Sequence, residues 1–495
     1  MRTAAVVFLL TFLVYWLLGP FTTAYDFQLS QANNLIHGHL DMTEEYTRNL
    51  GVLERVLFDG EGFCLPANDP RGPEPATLVE NPRLTADCRT FMQHSLGPAL
   101  LLVPLVAIFG LSASQVLVSA LVGALTAVVV YAIARHFTSD TRTQLGLTVL
   151  AIFGTQLFYS APDGSVWHFA HTTAVFFLFG AIYATVVLRS PLLAGALVGA
   201  AFMCRPTTIL AGLFTIVAFS DMWLVHKPGA RPWDRLRLRP LVELAAGVAP
   251  FIALTLVLNA LRFGNPFETG YAFSEQVHQV HLRHVYEHGI FDFSHIARHM
   301  PVFWEQMPIF ATQPPFVRPS WAGMAVWLTS PALLIGLFVH LRRNSSVARL
   351  AALAIAAAGA FILAVAVTRD LGLDTLTAAS VPLGLHLWPF WILIGLAVGM
   401  AIGLGDRLVV ACWAAIIPIA VLNWTFAATG WAQFGYRYSL DFLPFLVLLV
   451  MVAVPRLRPW HVALIGVSVV VNLWGVLWIF KFAPAELFGW TWVSF

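Results

Sequence analysis

The sequence predicts an all-α polytopic membrane protein with about 13 transmembrane helices and two large outer loops carrying interfacial helices. Three observations lead there. First, 58% of the 495 residues are hydrophobic and only 11% are charged, against roughly 25% charged in soluble domains; the mean hydropathy is +0.76. Second, apolar runs recur along the whole chain at close to the roughly 20 residues that a spanning helix needs. Third, the acidic residues are not scattered, because 11 of the 26 fall between residues 22 and 98.

Taken in order, the spans are expected near 4–22, 114–135, 144–160, 168–188, 191–204, 207–225, 241–261, 321–341, 347–367, 387–404, 408–428, 440–454 and 460–480. The N-terminal run, Arg2 followed by Ala4 to Leu18, has the form of a signal peptide ending near Ala24, but the many later spans favour an uncleaved first helix. The segment 97–110 is apolar yet short and carries Pro98 and Pro104; it is read as a helix in the outer interface. With the N-terminus cytoplasmic, the short inner connections and Arg2 hold 15 of the 28 Lys and Arg, as the positive-inside rule requires. The two large outer loops are then 22–98 and 262–320. The expected organisation is a transmembrane module over 1–262 that includes the first loop, a second outer loop over 263–320, and a C-terminal transmembrane module over 321–495. A net charge of +2, with no basic and aromatic-interleaved stretch, gives no sign of nucleic acid. Chemistry is expected on the outside of the cell membrane.

Several side chains are candidates for that chemistry. Asp26 follows the first span directly and precedes FQLSQANNLIHGHLDM, where Phe27, Leu29, Ala32, Leu35 and Ile36 have the spacing of an interfacial amphipathic helix. A carboxylate there could deprotonate an acceptor hydroxyl, or it could simply favour the helix N-terminus. Asp163, in YSAPDGSVWH, is a second acid or a turn residue. Arg205 and Arg437 fall near the outer interface, where an arginine needs a partner; a lipid phosphate is one, and Asp441 or Asp163 is the structural one. His278, His281, His284 and His288 have helical spacing with Glu287 beside them, which offers a divalent metal a face or merely decorates an interfacial helix. No cofactor is firmly predicted, and a divalent metal is left open. Of the four cysteines, Cys64 and Cys88 share the first loop and form a disulfide if that loop faces an oxidising compartment, or stay as two thiols. The sequence has no Walker A motif, dinucleotide loop or nucleophile elbow, so any donor must arrive activated.

The order of these pieces resembles the GT-C class of polytopic glycosyltransferases, in particular a family 39-like bacterial branch that includes protein mannosyltransferases and an aminoarabinose transferase. The pieces are Asp26 after span one, the GHLD turn at Gly38 to Asp41, the helix from Gly97-Pro98 to Phe109-Gly110, the basic turn at Arg135 to Arg142, Asp163, and LLAGALVGAAFMCRPT. Later come RFGNPFETGY (262–271), TSPALL (329–334) and FGYRYSLDFLPF (434–445). The resemblance implies a polyprenyl-phosphate-linked sugar donor and a glycan, lipid or protein acceptor. It implies a base or positioning role for Asp26, a second acid in Asp163, and a lipid-phosphate grip by Arg205 and Arg437 with Tyr438 and His94. Many relatives carry Asp-Glu where this chain has Asp26-Phe27, which weakens a metal-binding version of the site. The competing expectations are a lipid-glycan transporter or flippase, and a non-catalytic scaffold for envelope synthesis. Transporters place ionisable groups mid-membrane at repeat interfaces, whereas here they concentrate in outer loops.

Overall fold

The computed structural model describes residues 2–42, 55–67, 78–79, 82–224, 236–310, 316–342, 406–430 and 433–482. It is mostly helical. Its principal helices are α1 (Arg2–Leu18), α2 (Phe27–Ile36), α3 (Gly97–Phe109), α4 (Gln115–Phe137), α5 (Thr141–Phe153), α6 (Leu157–Asp163), α7 (Val166–Val186), α8 (Pro191–Cys204), α9 (Gly212–Ala218), α10 (Arg239–Phe263), α11 (Arg407–Trp424), α12 (Leu443–Ala453) and α13 (Pro459–Leu477).

Local sequence sets the helix starts. Ser114, Asp140 and Asp406 each accept a hydrogen bond from the backbone N–H three residues on, at Leu117 (3.1 Å), Thr143 (3.1 Å) and Val409 (3.4 Å), which satisfies donors that the helix cannot. Arg135 and His136 close α4, where positive charge complements the dipole. Helices α8 and α10 pack against each other through small residues. A Cβ on Gly195 would lie 2.1 Å from the Leu244 carbonyl oxygen, and one on Gly247 would lie 2.2 Å from that of Leu192. Gly195 and Gly199 thus act as the small-xxx-small surface that lets membrane helices approach. The other flank of α10 exposes Val242, Leu254, Val257 and Leu261, the face expected towards lipid.

The expected count of 13 spans is not confirmed. Among the described residues five helices are long and apolar enough to cross a membrane, or six if α5 and α6 are one bent span. The run read as 144–160 breaks after Phe153 and turns by 60°. The run 207–225 starts as a 3-10 turn (Pro206–Ala211) before α9, and 321–341 as a four-residue helix (Val326–Thr329) before a 3-10 segment (Pro331–Arg342). In each case proline or glycine interrupts the backbone ladder while apolarity continues, so hydropathy overstates helix length. The spans at 347–367 and 387–404 lie outside the described residues. The segment at 97–110 is a 13-residue helix with Pro104 inside it.

The two large loops are not purely helical. The first loop carries β1 (Arg55–Phe58) antiparallel to β4 (Arg89–Met92), and β2 (Cys64–Pro66) parallel to β3 (Arg83–Thr85). The second carries β5 (Ile309–Phe310) paired with β6 (Val317–Arg318). Cys64 and Cys88 are joined by a disulfide with a Cα–Cα distance of 5.9 Å. The two loops form one cap. Arg55 pairs with Glu275 (Nε–Oε2 2.7 Å, Nη2–Oε2 2.6 Å), with side chains 3% and 8% exposed. Phe58, Phe91 and Phe273 gather on Phe263, and the Val79 N–H donates to the His278 carbonyl (2.8 Å).

Candidate functional site

The site is built on a buried carboxylate. After α11 the chain runs through Gln433-Phe434-Gly435-Tyr436 into a 3-10 turn, Arg437–Asp441, that precedes α12. Asp441 is 0% exposed, and a buried carboxylate is tolerated only when paired and hydrogen-bonded. Here it is. His171 Nδ1 donates to its Oδ1 (3.0 Å), and Thr207 Oγ1 and Asn423 Nδ2 donate to its Oδ2 (2.8 and 3.1 Å). Arg205 closes the set in bidentate fashion, Nε to Oδ1 (3.3 Å) and Nη2 to Oδ2 (3.1 Å). Local sequence makes this reach feasible. Pro206 drives the preceding residue out of helical geometry, and Arg205 accordingly caps α8 in an extended conformation (φ −143°, ψ 106°).

A second guanidinium lies against the same ring as Arg205, that of Tyr438. The Arg205 guanidinium carbon lies 5.4 Å from the centroid of the Tyr438 ring and that of Arg437 lies 5.5 Å from it, within cation–π range. Arg205 Nη1 makes no hydrogen bond among the described residues. His94, in the short stretch between β4 and α3, has its Nε2 shielded from solvent and without a hydrogen-bond partner among the described residues. Burial, and then the charges of Arg205 and Arg437, push its imidazole down to about 3, so it is neutral at pH 7. Tyr271 and Tyr286 of the second loop lie within electrostatic reach of Tyr438, and burial pushes both phenols up. Two cations lie against one ring within electrostatic reach of His94, whose neutral imidazole can donate in the tautomer that carries its hydrogen on Nε2, an arrangement suited to an anion.

The two candidate acids are linked to each other by the backbone and side chains around them, and Asp163 to Arg437 through shared neighbours. Asp163 ends α6, its Oδ1 accepting from the Ser165 N–H (2.7 Å) while Gly164 takes a left-handed conformation (φ 66°). Its charge and that of Arg437 both reach the Tyr159 hydroxyl and the His168 imidazole. Asp26 caps α2 without a side-chain hydrogen bond to it. Burial pushes its carboxyl above the ordinary carboxylate value, partly opposed by its own backbone N–H. Hydrogen bonds tie the surroundings of the two acids together. The Val166 N–H donates to the Tyr25 carbonyl (2.8 Å) and Gln28 Nε2 to the Val166 carbonyl (3.1 Å). Gln115 bridges the Leu29 N–H (3.1 Å) and the Gly164 carbonyl (2.8 Å).

The histidine-rich stretch behaves differently from its spacing. Residues 275–286 form two 3-10 turns and one helical turn, Glu275–His278, Val280–Leu282 and Arg283–Tyr286, broken where Gln279 is extended (ψ 132°). His278, His281, His284, Glu287 and His288 therefore share no helix face. His278 stacks on Phe63 at 3.8 Å and its ring Nε2 bonds the Ala272 carbonyl (3.0 Å). Among the described residues no three His, Cys, Asp or Glu side chains are close enough to hold a metal.

Of the residues grouped from the sequence as a donor site, Arg205 and Arg437 both lie on the Tyr438 ring and within electrostatic reach of His94, and Arg205 pairs with Asp441, one of the two structural partners offered for it. Sequence reasoning missed His171, Thr207, Asn423, Tyr271 and Tyr286. His171 and Asn423 had a signal, being polar residues inside apolar spans, where such groups need a partner.

No curated protein and no solved structure matches the chain significantly. Residues 93–256 match the family model described as dolichyl-phosphate-mannose-protein mannosyltransferase. The matched stretch includes His94, Asp163, His171 and Arg205, and leaves out Asp26, Arg437 and Asp441. With the apolar helices, that match supports a GT-C-like glycosyltransferase family for this chain, a family of multi-pass membrane proteins.

Proposed function

We propose that the protein transfers a sugar from a polyprenyl-phosphate donor to an acceptor hydroxyl of a glycan, lipid or protein, on the outer face of the cell membrane. The observation that carries the reading is the pair of guanidiniums on Tyr438 within electrostatic reach of His94, whose Nε2 has no hydrogen-bond partner among the described residues. The donor phosphate would sit against Arg205, Arg437 and His94. The acceptor oxygen attacks the anomeric carbon from the face opposite the phosphate. As the new C–O bond forms, the bond to the phosphate oxygen breaks and its electron pair stays on the phosphate. The arginines stabilise the charge that develops there. The acceptor proton passes to Asp26, whose raised affinity for protons suits a general base; Asp163 is the second acid beside it. Inversion at the anomeric carbon follows from this geometry. The disulfide in the first loop fits an oxidising outer compartment.

The experiment is transfer of radiolabelled sugar from a panel of polyprenyl-phosphate sugars, in membranes containing wild type or Asp26→Asn. Transfer that depends on Asp26 supports the reading. Absence of transfer and of donor hydrolysis by wild type, with a panel covering the cell's donors, favours transport or scaffolding.

A further inference from the structure

We propose that Asp441 is a positioning residue for the donor phosphate, acting through Arg205; the inference rests on the phosphate reading above. Arg205 has five N–H groups in a planar fork. Asp441 takes the Nε hydrogen and one Nη2 hydrogen, which orients the plane and leaves Nη1 and the second Nη2 hydrogen as the open edge. That edge is the one a phosphate can engage, and Nη1 makes no hydrogen bond among the described residues. The same guanidinium packs over Tyr438, so rotation out of the plane is blocked on that side.

The carboxylate is anchored independently of Arg205. His171 comes from α7, Asn423 from α11 and Thr207 from the turn after α8. Three hydrogen bonds from three parts of the chain therefore fix Asp441, and it in turn fixes the arginine. A flexible arginine is thereby held in the orientation a ligand needs, with the ordering done before binding. The arrangement also explains why a carboxylate stands so close to a site for an anion. It does not face the ligand; it occupies the far edge of the fork.

The test is a double-mutant cycle on purified wild type, Asp441→Asn, Arg205→Gln and the double variant, assayed for kcat and KM with a polyprenyl-phosphate sugar that wild type uses. Rates are normalised to folded, monodisperse protein. Asp441→Asn should lower kcat/KM by on the order of 10- to 100-fold, the scale of misplacing a binding group. In the Arg205→Gln background the same change should cost less than about twofold, because the group it positions is gone. Thr207→Val serves if Asp441→Asn does not fold. It loosens one anchor and should lower kcat/KM several-fold only when Arg205 is present. If Arg205→Gln impairs donor use while the Asp441 effect multiplies undiminished in both backgrounds, the phosphate reading stands and the positioning role is overturned. If wild type uses no such donor, or Arg205→Gln leaves donor use unchanged, both fall.

Discussion

The cap over the site depends on a buried ion pair between two segments 220 residues apart in sequence. Changing Glu275 to Gln removes the charge and keeps the shape. Arg55, 3% exposed, then loses the carboxylate that both Nε and Nη2 engage. Breaking one side of a buried pair costs about 3–5 kcal/mol, and each 1.4 kcal/mol is about tenfold in an equilibrium. The population with the cap undocked should therefore rise by roughly two to three orders of magnitude. Cleavage of a transiently opened segment tracks that population when reclosing is fast, so limited proteolysis of the detergent-solubilised protein reads it directly. Unchanged proteolysis in Glu275→Gln would refute the ion pair's role in docking the two loops.

Other expectations follow from the same geometry. If Asp26 is the base, its carboxylate form is active and burial raises its pKa. Activity is then lost as pH falls through a value above the ~3.9 of a solvated Asp, and a kcat/KM profile whose acid limb lies at or below that value contradicts the role. Tyr438→Ala removes the ring shared by both arginines and should lower donor kcat/KM by about tenfold, from two contacts of about 0.5–1 kcal/mol each. Tyr438→Phe keeps the ring and should stay within a few-fold, measured in the same assay. Gly195→Val drives a Cβ into the Leu244 carbonyl and should cost about 1–3 kcal/mol or more by overpacking. Gly466→Ala, where nothing lies within 4 Å, should be neutral or slightly stabilising in thermal unfolding.

Much of this was legible because it is local. Apolar runs placed most of the helices, although the N-caps Ser114, Asp140 and Asp406 and the break at Pro206 were not singled out. The helix after Asp26 ends near the glycine expected to turn it, with Gly38 at φ 80°. The span count was not legible, because hydropathy records apolarity and not continuity of the backbone ladder. Breaks at Gly154–Gln156 and the 3-10 segment at Pro206–Ala211 leave the apolar run intact while ending the helix. The histidine spacing misled for a related reason: a period of three or four residues promises a common face only if the residues between stay helical, and Gln279 does not. The centre of the site was the least legible part. Asp441 meets His171 across 270 residues and Arg205 across 236, and no local pattern encodes which carboxylate such an arginine will find.

The most direct test of the central claim uses purified protein and one polyprenyl-phosphate sugar, with donor binding and sugar transfer measured separately for wild type, Asp26→Asn and Arg437→Gln. The account predicts binding and transfer by wild type, binding without transfer by Asp26→Asn, and weakened binding by Arg437→Gln. Transfer by Asp26→Asn at the wild-type rate, or donor affinity unchanged in Arg437→Gln, would contradict it.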